Sequence, residues 1–430
     1  MASPLRAIDP VVASSPAAPA RPEDRATLID ALRGFALFGV CLGNILTGFA
    51  WWTPTAHAPD TSALQLPSDH AAHFLIHALV DGKFYSIFSL LFGLGFALQL
   101  TRRTDEAGAL TVYRRRLRIL MVIGFIHLAL FWIGDILLFY GLMGMVLLRL
   151  RHFEDRRLLR WVVLLLLMPV VFALPKVISP MLTLGLPFFI PAELVARGVR
   201  LRPQLADAHH RHFHSWRLAD RDEGEPRRRS AFATATSSTL GRPFKVLAMF
   251  LLGLLIGRHR AWERLADYMP LVRRVLLWGL ALGLPASLGQ AWVASLPEGT
   301  TFAGWRVVVD STLYALGVAP LAMGYAAGFV LLWRHPAWQR RLVLLAPTGR
   351  MALTNYLTQT LIGITLFYGI GFGLGTRLGA TWFPLLALLI LIVQTLFSQW
   401  WLARYRFGPM EWLWRSLTYR IRQPMVRGRA

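Results

Sequence analysis

Polar residues in this chain gather between long apolar stretches, and those stretches have membrane length. Counting runs able to cross about 30 Å of hydrocarbon at about 1.5 Å of helical rise per residue predicts ten helices. They lie near residues 28–50, 71–99, 116–133, 135–150, 160–178, 243–258, 271–295, 307–333, 350–373 and 382–402. Only the second is too long for one straight span, and Gly82 in its middle is the predicted break. The fold class is therefore all-α, a polytopic membrane helix bundle of about ten transmembrane helices with the lipid bilayer as its solvent. No fixed-period repeat is visible.

The connections alternate in charge. Arg102, Arg103 and Arg114 to Arg116 follow the second stretch, and Arg149, Arg151, Arg156 and Arg157 follow the fourth. Arg258, Arg260 and Arg264 follow the sixth, Arg334, Arg340 and Arg341 the eighth, and Arg404, Arg406, Arg415 and Arg420 the tenth. Residues 51–70, the turn at Gly134 and residues 296–305 hold no Lys or Arg. Short basic loops are retained on the cytoplasmic side, so both termini are expected there. The organisation that follows is a disordered, Ala/Pro-rich cytoplasmic tail (1–27), a five-helix membrane region (28–178), an extracytoplasmic loop (179–242), a second five-helix region (243–402) and an amphipathic cytoplasmic tail (403–430). The loop is rich in arginine, but long loops translocate largely regardless of charge. Within it Pro191 to Leu205 reads as an interfacial helix, and the run around His209, His210, His212 and His214 as a flexible segment.

Composition narrows the function classes. A chain of 430 residues that is 55% hydrophobic and 16% charged is not a soluble domain. Its net charge of +23 sits in the inter-helix loops without interleaved aromatics, which excludes a nucleic-acid partner. Cys41 is the single cysteine, so no intramolecular disulfide forms.

Charges inside apolar runs are the candidate chemistry, since each costs about 2.5 to 3.5 kcal/mol near a helix centre. Asp30 and Arg33 lie in the first run, where they either mark a site or neutralise each other at i, i+3. Asn44, eleven positions after Arg33, falls on the same helix face about 16 Å along the axis. Arg350, Asn355 and Gln359 open the ninth run at the depth of Arg33, and such arginines and amides suit an anion entering from the cytosol, such as phosphate. The alternative for these groups is an interhelical polar clamp. Lys83 follows Gly82 at mid-depth, too deep to snorkel, and needs a carboxylate, a carbonyl-lined break or a ligand. His127 is the mid-membrane candidate for a general base, with Asp135 and Tyr140 in the adjoining turn; its alternative is a packing role. His70, His73, His77 and Asp81 form one stripe about 16 Å long, too extended for a tetrahedral metal site, so it reads as a hydrated vestibule and no metal is expected. Gly93-Leu-Gly95 and the run Gly369 to Gly375 fall in membrane segments, where they permit close helix packing rather than nucleotide binding. Pro409 and Glu411 begin a short helix whose Trp412, Trp414 and Tyr419 read as an interfacial anchor.

Four stretches resemble one family. Leu28-Ile-Asp-Ala-Leu-Arg-Gly-Phe-Ala-Leu-Phe-Gly39, Lys83-Phe-Tyr-Ser-Ile-Phe-Ser-Leu-Leu-Phe-Gly93 and the pair Gly349-Arg-Met-Ala-Leu-Thr-Asn-Tyr-Leu-Thr-Gln359 and Phe407-Gly-Pro-Met-Glu-Trp-Leu-Trp-Arg-Ser-Leu-Thr-Tyr419 are similar to the YeiB-like bacterial inner-membrane proteins, the domain-of-unknown-function 418 family. The first helix is also similar to that of transmembrane acyltransferases, including heparan-alpha-glucosaminide N-acetyltransferase, in which an Arg-Gly pair precedes a polar residue eleven positions on. That pattern falls here on Arg33, Gly34 and Asn44, with His57 the nearest following histidine. The resemblance implies transfer of an acyl group from a cytosolic acyl-CoA or acetyl-CoA donor to a hydroxyl or amine of an extracytoplasmic acceptor, a glycan. In that reading Arg33, Asn44, Lys83, Arg350, Asn355 and Gln359 hold the donor, and His127, His57 and Asp135 carry the chemistry. The alternative is a transporter or exporter of a small anionic or amphipathic solute along the same polar line.

Overall fold

The computed structural model describes residues 22–49, 66–101, 106–132, 134–178, 226–296, 303–368 and 371–426. His57, the segment Pro191 to Leu205 and the histidines from His209 to His214 lie outside the described residues. The described chain is helical throughout, with one isolated bridge between Tyr405 and Val426. The helices are α1 Pro22–Asn44, α2 Asp69–Leu79, α3 Lys83–Thr101, α4 Glu106–Leu130, α5 Leu137–Leu150, α6 Asp155–Ala173, α7 Pro175–Ile178, α8 Pro226–Arg258, α9 Met269–Ser295, α10 Ala303–Trp333, α11 Pro336–Leu342, α12 Ala346–Arg350, α13 Ala352–Phe367, α14 Phe383–Arg404 and α15 Pro409–Tyr419.

Five stretches are long and apolar enough by themselves to cross a membrane: Thr27–Phe49, Asp69–Leu100, Met269–Ser295, Trp305–Trp333 and Ala380–Arg404. Other predicted spans correspond to helices that are shorter, as α5 and α13 are, or that carry arginines, as α4 does at Arg114, Arg115, Arg116 and Arg118. Outward faces are apolar. Leu277, Trp278, Leu282 and Trp292 on α9, and Leu385, Leu389, Val393 and Leu396 on α14, are exposed. Surfaces this apolar on successive turns belong against lipid rather than water, so this is a multi-pass membrane bundle. The interior joins α1, α3, α4, α5 and α8 through Leu37, Phe96, Leu117, Leu147 and Phe250.

Polar ties mark the two ends. At the arginine-rich end, Arg258 donates to Asp155 (2.9 Å), to the Phe153 carbonyl (2.8 Å) and to the Arg151 carbonyl, joining the foot of α8 to the α5–α6 turn. There too, Trp414 Nε1 donates to the Arg116 carbonyl (2.9 Å) and Arg116 lies 4.2 Å from the Trp414 ring centroid, fastening α15 to α4. At the other end, Asp69 accepts the Thr381 N–H (2.9 Å) and hydroxyl (2.6 Å), tying the start of α2 to the approach to α14.

Three interruptions shape the interior. Between α2 and α3 the chain turns through Gly82 at φ 81°, the break expected from the sequence. Glycine is required there both for that φ and because a Cβ would press on Val318 and the Lys245 ammonium. Next, α1 ends in a π-helical turn, Ile45–Phe49. Finally, the predicted ninth span is divided at Met351, between α12 and α13.

Two expectations need correction. The helix that holds the sixth predicted span begins well before residue 243, because α8 starts at Pro226, so the last part of the expected loop is helical. Gly371 and Gly373 lie in turns after α13, with Gly373 at φ 61°, rather than inside a membrane helix. By contrast, Gly93 does pack directly on the α8 backbone at Phe250.

Candidate functional site

One polar constellation in the apolar interior centres on His127. This residue is 3% exposed, near the end of α4. Its Nδ1 lies 2.7 Å from Asp135 Oδ1, and its Nε2 lies 3.0 Å from Thr360 Oγ1 on α13. The Asp135 side chain is itself fully buried. Its second oxygen accepts the Leu138 N–H (2.8 Å), so one carboxylate both starts α5 and orients the imidazole. Tyr356, one turn before Thr360, accepts the Ile136 N–H (3.3 Å), and its ring centroid is 5.6 Å from that of His127. Trp132 stacks on Phe49 of the π-helical turn at 4.6 Å, and its buried Nε1 has no hydrogen-bond partner among the described residues. His127 is nine residues beyond Arg118 and Thr360 ten beyond Arg350, each about 14 to 15 Å from the arginine-rich end, near the middle of a hydrocarbon layer of about 30 Å.

A second polar group surrounds the Gly82 break. Lys83 is 0% exposed and donates to the His77 carbonyl (3.2 Å). Lys245 of α8, 2% exposed, donates to the Tyr314 hydroxyl and lies 4.3 and 4.1 Å from the Tyr85 and Tyr314 ring centroids. The two tyrosine hydroxyls are 2.8 Å apart. His77 Nδ1 is 3.5 Å from Asp81, and His77 Nε2 has no partner among the described residues. Neither lysine forms an ion pair with a carboxylate of the described residues.

The six expected donor-binding residues do not converge on one point. Arg33 and Arg350 share a corner, because Gly349 of α12 meets the Asp30 carbonyl and Gly34 of α1 meets the Leu345 carbonyl. Arg33 is paired there with Asp30 at 3.0 Å. Asn355 is engaged by other partners: its amide donates to the Thr348 carbonyl and to Ser398, both at 3.0 Å. Gln359 donates to Gln394 (2.9 Å), and Gln394 returns bonds to the Asn355 carbonyl (2.9 Å) and Thr358 (2.8 Å). This amide network clamps α13 to α14 and bridges the Met351 break. Asn44 lies at the far end of α1, and Lys83 belongs to the break group. On the histidine stripe, His70 and His73 are exposed and only His77 and Asp81 pair. No three His, Cys, Asp or Glu side chains of the described residues converge as a metal site requires.

Sequence reasoning passed over Thr360, Tyr356, Lys245 and Glu411. Lys245 had a signal, a charge inside a predicted span. Thr360 had none, since a threonine is ordinary in a membrane helix. Glu411 read as part of an anchor, yet its carboxylate accepts the Leu353 N–H (2.6 Å), the Thr354 N–H (3.0 Å) and the Thr354 hydroxyl (2.6 Å), completing the first turn of α13 from the tail.

Known proteins resemble this chain along nearly its whole length. The uncharacterized protein YxaH of Bacillus subtilis (strain 168) is 28% identical over 432 residues, covering 95% of this chain and 98% of the relative. An uncharacterized 39.9 kDa protein in the amylase 3' region of Bacillus acidopullulyticus is 29% identical, covering 94% of this chain and 96% of its own length. The uncharacterized protein YeiB of Escherichia coli (strain K12) is also 29% identical, with 94% of this chain and 98% of the relative covered. No solved structure matches. Residues 256–421, which hold the amide clamp, Thr360 and Glu411, match the family described as a protein of unknown function (DUF418).

Proposed function

We propose that this protein is a membrane acyltransferase in which His127 is the general base. The supporting observation is the buried His127–Asp135 pair, which holds an imidazole in one orientation with Nε2 facing a hydroxyl at mid-membrane depth. The Asp135 carboxylate on Nδ1 fixes the tautomer able to take a proton at Nε2. The donor in this reading is an acyl-CoA or acetyl-CoA thioester whose phosphates meet Arg33 and Arg350 at the shared corner, Arg33 exchanging its bond to Asp30 for one to phosphate. The acceptor is a hydroxyl or amine, a glycan, reached from the opposite end. The arginine-rich end faces the cytoplasm of the inner membrane and carries both termini.

The test uses protein reconstituted in nanodiscs with radiolabelled acetyl-CoA and an amino-sugar acceptor. His127→Ala abolishes transfer while retaining acetyl-CoA binding, and Arg33→Ala weakens that binding. Full transfer by His127→Ala removes the assignment. Reporter fusions after Arg157 and Arg264 should read cytoplasmic, and one at Asp60 should read the outside.

One observation favours a second reading, transport of a small anion. Broken helices that place charge at mid-depth are how transporters hold solutes, and α2–α3 breaks beside Lys83 and Lys245. Flux of a labelled carboxylate into proteoliposomes that Lys245→Met abolishes and His127→Ala leaves unchanged would favour transport over transfer.

A further inference from the structure

We infer that Thr360 is the nucleophile that carries the acyl group, so that transfer runs through a covalent acyl-threonine; this rests on the acyl-transfer reading above. The direction of the hydrogen bonds supplies the argument. Asp135 Oδ2 takes the Leu138 N–H, and because a carboxylate has no proton to give, Oδ1, 2.7 Å from His127 Nδ1, accepts from the ring. The imidazole proton therefore resides on Nδ1, and a neutral ring presents a bare Nε2. Only the Thr360 hydroxyl can supply the proton of the 3.0 Å contact, so Thr360 donates to His127.

That is not how a helical threonine ordinarily behaves. Such hydroxyls bond back to a carbonyl one turn earlier, as Thr312 does to Val308, Thr365 to Leu361 and Thr418 to Trp414. Thr360 gives its proton instead to a base 233 positions away in sequence. Carboxylate, imidazole and hydroxyl, linked at 2.7 and 3.0 Å, form the nucleophile, base and orienting group that activate a hydroxyl for acyl transfer. Tyr356 steadies the arrangement by holding the Ile136 N–H beside Asp135.

The chemistry balances without a further reactant. Thr360 Oγ attacks the thioester carbonyl carbon as its proton passes to His127 Nε2. The C–S bond breaks, and the coenzyme A thiolate leaves with that proton as the thiol. An acceptor hydroxyl or amine then attacks the acyl-threonine ester and gives its proton to His127. The ester C–O bond breaks, and Thr360 Oγ recovers the proton.

The test incubates the full-length protein in nanodiscs with labelled acetyl-CoA and no acceptor, followed by peptide mass spectrometry. The expected result is an acetyl ester on Thr360 that hydroxylamine removes and that chases into added acceptor. Thr360→Ser should keep the label, while Thr360→Val and His127→Ala lose it. Transfer at the wild-type rate by Thr360→Val, with His127→Ala inactive, would overturn the nucleophile and leave the acyltransferase standing. Labelling of Thr360 by p-nitrophenyl acetate but not by acetyl-CoA would keep the activated hydroxyl and remove the thioester donor. No label at Thr360 from either reagent overturns the inference, and because that reading comes from the wild-type protein it does not depend on whether a variant folds.

Discussion

Replacing Glu411 with alanine should destabilise the bundle by about 3 kcal/mol. The carboxylate lies in α15, outside the membrane spans, and accepts two backbone amides at the start of α13 together with the Thr354 hydroxyl, all within 2.6 to 3.0 Å. Hydrogen bonds to a charged acceptor are worth about 1.5 to 3 kcal/mol each, and a stranded buried donor costs about 1 to 3 kcal/mol. The full sum overcounts, because the Thr354 hydroxyl can turn to a carbonyl of its own helix. That leaves the Leu353 and Thr354 amides as the lasting loss, about 2 to 6 kcal/mol in total. Glu411→Gln keeps an acceptor oxygen for the amides and should cost about 1 kcal/mol. Reversible unfolding in mixed micelles, followed by tryptophan fluorescence, gives both values. Burial pushes the Glu411 carboxyl above its usual range, more than its hydrogen bonds draw it back. A carboxyl raised in the native state binds its proton more tightly there than when unfolded. Its contribution is therefore full below the unfolded value of about 4.3 and is lost as pH rises through the native value. Wild-type stability should accordingly fall relative to Glu411→Gln as pH rises through that window and hold constant against it below. A loss under about 0.5 kcal/mol for Glu411→Ala, the range of an uninvolved surface change, would refute a role for the tail in completing α13.

Gly349→Ala should be among the most damaging single-methyl additions, since the new Cβ would overlap the Asp30 carbonyl of α1; separation of the two backbones should lower folded yield and weaken acetyl-CoA binding together, read by size exclusion and binding isotherms. Asn355→Ala removes one bond across the Met351 break and one from α13 to α14, and should cost about 1 to 2 kcal/mol, measured by the same unfolding titration, without changing donor affinity. Asp135→Asn frees the imidazole tautomer and should lower transfer at least a hundredfold while acetyl-CoA binding persists, since a positioned base contributes about 10² to 10⁴. Gly82→Ala forces φ 81° on a residue with a Cβ and presses on Lys245, and should destabilise by about 1 to 3 kcal/mol.

What the sequence determined by itself was the class of molecule and its plan. Apolar runs of membrane length, the alternation of arginine loops and the placement of Gly82 are one-dimensional properties, because a helix in lipid satisfies its own backbone and needs only length and composition to be recognised. The pairing of His127 with Asp135 was also within reach, since eight residues and one turn separate them. Tertiary structure decided the partners. Asn355 and Gln359 share a helix face, but whether that face meets Arg33 or α14 depends on how α13 rotates after the Met351 break, and it meets Ser398 and Gln394. Thr360, the residue after Gln359, turns the other way, to an imidazole on α4. Lys245 and Lys83 come together only because α8 packs on α3 through glycine contacts at Gly93 and Gly253. Hydrophobic periodicity reports which face of a helix leaves water; in a bundle surrounded by lipid, nearly every face does, and polar bonds between helices choose the rotation.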